Sequence, residues 1–436
     1  MKKFYFFWMA LFAAYLVQPA LAQEVKVKQV IVASGGNFSD PDDYVTLGTY
    51  NPEDSTTTQF GTIYTQSVQS AVVYDHFLYV AAQDSIVAYD IDSYQRVAAV
   101  AAAGVNRLAV TDEKVIASFW YPDTADFVRI YKRDDLSQLA VISEVSDEAA
   151  GIVVFQNMAY VAVPGGYGAT TGKVAVINLD NNSFVLEMDL GEAGARINDL
   201  YLYQEIYKGD INPYLISVNK SEWGGTTGYV MKYNLSENSL ETKMLNVNLG
   251  KGVGIEYENG GKLYAVINGG IGAISLQDLE VADTVVVQPM EMSIAAAAFD
   301  RVNKQFYVTV TDFYSQGAGY IFNESGDQLG AFEAGISAEA LAIDYRNTSD
   351  VAEQVSSHNF VVYPNPAQEM VNVLNHDRVE IQEIVMTDLA GRIVKKVLNT
   401  QGVMRISIPV DDLNGGLYLL SVKTNSLVST YKVIVK

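Results

Sequence analysis

Apolar residues along this chain come in short runs, and Gly, Asp, Asn and Ser close each run. Runs of that length, rich in Val, Ile, Tyr and Phe, read as strands. One phrase recurs. It has an apolar strand, a short polar turn, a strand of the type x-Leu-Tyr-Val-Ala, a loop, a strand ending in Tyr or Leu and then Asp or Asn, a turn, and a fourth strand. Its first copy occupies residues 70–74, 77–81, 86–92 and 96–98. Further copies fall at 107–142, 151–186, 199–244, 254–287 and 295–332.

A period of about 35–55 residues with four strands per copy is the spacing of propeller blades rather than of a solenoid or a sandwich. After the sixth copy a lone first strand, 339–345, has no partners, while strands 25–33 and 44–50 have no blade of their own. Pairing the two ends makes a seventh blade and removes the edges an open array would expose. The expected fold is all-β: a seven-bladed β-propeller closed by N- and C-terminal strands, over residues 23–345. Six or eight blades stay open at this point, because the fourth copy is irregular around residues 204–212.

The phrases Ala33-Ser34-Gly35-Gly36-Asn37-Phe38, Thr49-Tyr50-Asn51-Pro52-Glu53 and Gln69-Ser70-Ala71-Val72-Val73-Tyr74 are similar to those of YncE-like seven-bladed propellers. That surface-protein family includes corrinoid-binding members. The resemblance implies a fold and leaves the ligand open, since one fold hosts many activities.

In such a blade the loop between the second and third strands and the crossover to the next blade meet on one face. Here those loops carry rings and glycines: Phe38, Trp120, Tyr121, Tyr167, Trp223, Phe313 and Tyr314. The opposite turns, such as Tyr74-Asp75-His76 and Thr111-Asp112-Glu113-Lys114, are short and polar. Exposed rings beside glycines suit stacking on a flat or amphipathic ligand; the alternative is that they pack against neighbouring blades. The crossovers add Asn106, Arg107, Arg196, Asn198, Lys251, Glu291 and Glu339 around the expected channel mouth. The two arginines either anchor an anionic or amide group of a ligand or tie adjacent blades together.

Charge sharpens the partner question. Of the net charge of −22, residues 356–436 contribute almost nothing, with eight Lys and Arg against seven Asp and Glu. The propeller is therefore strongly acidic, which argues against nucleic acid and anionic membranes as partners. Cysteine is absent, so disulfides, thiolate metal sites and cysteine nucleophiles are excluded. The three histidines, His76, His358 and His376, lie away from the aromatic face, so no histidine triad or histidine-bound metal is expected. Asp40, Asp42 and Asp43 lack EF-hand spacing and read as a turn more readily than as a calcium site.

Both ends carry addresses. Lys2 and Lys3 precede an apolar run and an Ala20-Leu21-Ala22 cleavage pattern, so residues 1–22 are expected to be a signal peptide and the mature chain to have no membrane span. Residues 346–359 are polar and read as a linker. From Tyr363-Pro364-Asn365-Pro366-Ala367, through 384–392, to Gly415-Gly416-Leu417-Tyr418 and 431–435, the tail resembles the type A C-terminal sorting domain of the type IX secretion system. The resemblance implies a small β-sandwich over 360–436, recognised by the type IX translocon, and a secreted or surface-displayed product.

The functional expectation is a non-catalytic binding protein with no cofactor and no metal, taking a small molecule (a corrinoid among the candidates) or a glycan on its aromatic face. Two rivals stay open: a protein-interaction scaffold at the cell surface, and a propeller hydrolase or lyase.

Overall fold

The computed structural model describes residues 25–207, 210–258, 260–347, 360–375, 381–388, 392–400, 405–424 and 428–436. The expected signal peptide, most of the linker, His358 and His376 lie outside them. Seven four-stranded antiparallel sheets form the first unit. Blade 1 combines Ala340–Asn347, Val25–Ser34, Val45–Asn51 and Thr56–Ile63; blades 2 to 7 follow in chain order. The innermost strands of blades 2 to 7 are Val68–Tyr74, Val105–Val110, Ile152–Phe155, Ile197–Tyr207, Leu249–Glu256 and Ser293–Asp300. Each touches the next, and Ala340–Asn347 touches both the first and the last, so the ring is closed.

Burial explains why the second strand of the phrase is apolar throughout. Phe77–Ala82 and Gln305–Thr311 are buried at nearly every position, because both of their faces meet neighbouring blades. The fourth strand faces solvent instead, as along Gln95–Ala101 and Ser239–Leu245. The core is accordingly a set of clusters between blades. Ile31, Val45 and Leu47 of blade 1 meet Leu78, Val80 and Tyr89 of blade 2. Val30, Val32 and Tyr50, with side chains on the opposite sheet face, meet Tyr307, Ile321 and Phe332 of blade 7. Blade 1 is thus stitched by strand pairing inside and by apolar packing on both sides.

The recurring Asp or Asn has a local cause. The Oδ1 atoms of Asp90, Asn178, Asn234 and Asn323 accept backbone N–H groups two to four residues on, closing the lower hairpins. Asp300 does the same between the first two strands of blade 7.

The second unit has two sheets. Phe360–Tyr363, Met370–Asn375 and Arg405–Pro409 form one; Ile393–Thr400, Ile381–Thr387, Gly416–Thr424 and Val428–Val435 form the other. Their shared core includes Val371, Val373, Ile384, Met386, Ile408, Leu420, Val422 and Val433. The Pro-Asn-Pro-Ala segment lies along the edge of the last strand. Asn365 bonds Lys432 O and Ile434 N–H at 2.8 Å each, and Ala367 N–H bonds Ile434 O at 2.7 Å. That pairing covers an edge that would otherwise be open to another chain.

Candidate functional site

The loops after the second strands and the crossovers between blades share the upper face, linked by backbone bonds such as Trp120 N–H to Gly104 O and Ser221 N–H to Leu249 O. Gly104 has φ +74°, and a Cβ there would sit 2.7 Å from Trp120 O, so only glycine lets the crossover pass under this loop. Phe119, the first ring of that loop, is buried with the Arg129 guanidinium 4.0 Å over it, and Arg129 binds Asp123 at 2.5 Å. The loop base is locked while Trp120 and Tyr121 point outward.

The other expected rings are also outside. Phe38, Tyr167, Trp223, Phe313 and Tyr314 are all exposed, with Tyr167 and Trp223 fully so. None of them belongs to the apolar clusters between blades, and among the described residues no ring–ring contact joins them. Asp312 sets the last pair: its carboxylate accepts from Ser315 Oγ, Ser315 N–H and Tyr314 N–H, which holds its pKa down to about 2. Tyr64, in the crossover from blade 1, extends the rim and was not among the sequence candidates. Of the exposed large aromatic side chains among the described residues, only Tyr257 belongs to a lower turn.

Inside the rim, Glu339, Gln69, Arg107, Gly151, Asp199, Lys251 and Ala295 lie at or near the start of the innermost strands of blades 1 to 7. Arg107 donates through Nη1 to Gln69 O at 2.6 Å and Asn106 Oδ1 at 3.1 Å, and Asn106 is itself fixed to Ala149 O at 2.8 Å. Lys251 Nζ donates to Ala295 O at 2.9 Å. Asp199 accepts from Asn198 Nδ2 at 2.7 Å and Gly252 N–H at 2.8 Å. The Tyr201 ring lies so close over Gly252 that a Cβ there would fall 2.3 Å from its hydroxyl. Lys220, beside this group at the end of Asp210–Asn219, completes it.

These groups are half-buried and sense one another across the ring. Burial pushes Lys220 down to about 8; Asp199 opposes that fall, and Arg107 and Lys251 add to it. Lys251 is lowered by burial and by Arg107 against the pull of Glu339 and Asp199. Glu339 is raised by burial, with Lys251 and Arg107 opposing. Tyr201 stays neutral, its pKa raised by burial and by Asp199.

The crossover candidates therefore separate. Arg107, Lys251 and Glu339 converge on the axis; Asn106 and Asn198 hold their neighbours in place. Arg196 goes to the rim, where Nη2 binds Glu222 Oε1 at 2.6 Å, and Glu291 is exposed. Arg107 does tie blade 3 to blade 2, through Gln69 O. Sequence reasoning missed Gln69, Asp199, Tyr201 and Lys220. A readable signal existed for two of them: Gln69 and Asp199 fall near the start of an otherwise apolar innermost strand, as Arg107 and Lys251 do. Asp40 and Asp43 accept the N–H groups of Asp42 and Asn37, which is turn chemistry.

A cleft of about 440 Å³ lies away from this face, between the outer parts of blades 1 and 2, lined by Lys26, Lys28, Gln29, Thr49, Glu53 and Tyr94 among others. Its polar walls are committed to one another. Lys26 pairs with Glu53, Lys28 with Asp92, and Gln29 with Asp344, Thr49 and Tyr94. It is a seam between blades, whereas the lysines that burial pushes down, Lys220 and Lys251, lie at the channel mouth.

Residues 361–436 match the family of secretion system C-terminal sorting domains. The chain is exported by the type IX route to the cell surface or the medium. Among the described residues no helix is long and apolar enough to cross a membrane. No curated protein is similar to the chain in sequence. In structure it is similar to the Pseudomonas aeruginosa periplasmic gluconolactonase, at 10% identity and TM-score 0.52 over 74% of this chain and 99% of that one. It is equally similar to a hypothetical selenium-binding protein of Sulfolobus tokodaii, at 8% identity and TM-score 0.52 over 74% and 94%. At such identities the likeness is one of fold, and the fold is a β-propeller.

Proposed function

We propose that the protein is an exported, non-catalytic binding propeller that takes a small molecule or a glycan on its upper face. The observation that supports this most is the sorting of exposed aromatic rings: among the described residues, all but Tyr257 stand on upper loops or crossovers. Rings held outward on locked loops are stacking surfaces without a partner in the fold. The opening phrase Ala33–Phe38 supports a place among the YncE-like propellers. Its Gly35 and Gly36 N–H groups bond Ser337 O and Ile336 O, fastening the loop that carries Phe38 to the closing crossover.

The molecule carries its own reporter. Outside residues 1–22 the tryptophans are Trp120 and Trp223, both on this rim. Titrating the exported protein with corrinoids and oligosaccharides, and following tryptophan emission, is expected to give saturable quenching by one class. Trp223→Ala and Tyr167→Ala are expected to weaken it. Unchanged emission across both classes would overturn the reading.

A further inference from the structure

We infer that the mouth of the central channel is an oxyanion site, built by Lys220, Lys251 and Arg107, which takes a carboxylate or phosphate group of the ligand. The inference rests on the upper face being the binding face and names the chemistry at its centre. Three observations carry it.

The first is convergence. Arg107, Lys220 and Lys251 come from blades 3, 5 and 6, and bonds between the innermost strands draw the group together: Arg107 reaches Gln69 O of blade 2, Lys251 reaches Ala295 O of blade 7, and Asp199 of blade 5 takes Gly252 N–H of blade 6. The charges agree with that placement, since Lys220 feels Arg107 and Lys251, and both Lys251 and Glu339 feel Arg107 across the ring. Three cations gathered in one half-buried mouth repel one another, and an anion between them relieves that repulsion.

The second is the shortage of internal partners. Asp199 already accepts one bond on each oxygen, from Asn198 Nδ2 and from Gly252 N–H. Lys220 Nζ has no hydrogen-bond acceptor among the described residues, and Lys251 Nζ has one, the Ala295 carbonyl. Arg107 spends Nη1 on carbonyl oxygens that aim it, and no bond engages its Nε or Nη2 among the described residues. The donors outnumber what the protein offers them.

The third is contrast. With every group ionised the mouth carries three positive and two negative charges, inside a unit that holds nearly all of the chain's excess of acid. A local excess of positive charge inside an acidic unit is a focused field rather than part of a general basic surface. The neutral Tyr201 hydroxyl adds one more donor beside it.

Calorimetric titration of the exported protein with sodium succinate and with sodium phosphate, against sodium chloride at equal ionic strength, tests this. One oxyanion is expected to bind at a single site at pH 7, and which one does so names the group. Lys220→Met and Lys251→Met should each weaken it by about tenfold or more, and Lys220→Arg should restore it. Binding should fade between pH 7 and pH 9 as Lys220 loses its proton near 8; the charges facing Lys220 are Asp199, Arg107 and Lys251. Lys243→Met, on the outermost strand of blade 5, should leave the succinate or phosphate heat intact. Heat without any rim quenching would sink the binding-face proposal and leave the anion site standing. No heat beyond chloride, or heat indifferent to both lysine variants, would overturn the inference.

Discussion

The two faces of the propeller use the same polar residue types for opposite purposes. On the lower face, Asp90, Asn178, Asn234, Asp300 and Asn323 turn their side-chain oxygens back onto their own hairpins. Each recurs because each blade needs the same turn. On the upper face Arg107, Asp199, Lys220 and Lys251 do not recur, since each blade brings a different group to one point. Recurrence in a repeat protein thus marks what every copy needs to fold. The side chains that break the pattern mark what the assembly can do, and variants on the two faces should separate stability from binding.

The largest effect is expected on the lower face. Asp300 is fully buried, and its carboxylate holds Val302 N–H, Asn303 N–H and Asn303 Nδ2. Asp300→Ala should cost about 2–4 kcal/mol by orphaning those donors, read as a lower urea midpoint, with rim quenching by ligand unchanged.

Lys220→Met should do the reverse. With a folded pKa near 8 against 10.5 unfolded, the charged Lys220 destabilises the fold fully below pH 8, and the penalty disappears as pH rises towards 10.5. The variant should be more stable at pH 7 by roughly 1–3 kcal/mol and lose that advantage by about pH 10.5, measured by urea unfolding at both pH values.

A smaller loss is expected for Asn234→Ala, about 1 kcal/mol in urea unfolding, since its turn is solvent-reachable. Trp223→Ala should change stability by less than about 0.5 kcal/mol while removing most ligand quenching. A large stability loss there would mean the ring supports the fold, and the contrast between faces would fail at that point.

The blades were legible because their inner strands must be apolar on both sides, and that leaves a pattern no surface strand imitates. The strand Thr56–Ile63 escaped notice for the complementary reason. It lies at the outer edge of blade 1, only its last residue is buried, and its threonines and glutamine form no apolar run. Outward rings were legible too, since the loops that carry them stand apart from the strands. Lys220 was not: it sits among polar loop residues, and only closure of the ring brings it to Arg107 and Lys251. Arg196 misled because its place in the crossover resembles that of Arg107, while its partner Glu222 draws it to the rim.

Ring closure also sets a schedule. Val25–Ser34 waits for Ala340–Asn347, and Gln29 waits for Asp344, 315 residues later. Until that last stretch is available, blade 1 lacks its inner strand and blades 2 and 7 each lack a neighbour. A chain that emerges N-terminus first therefore cannot lock into its final shape midway. The order of its strands keeps it pliable until nearly all of the propeller has emerged.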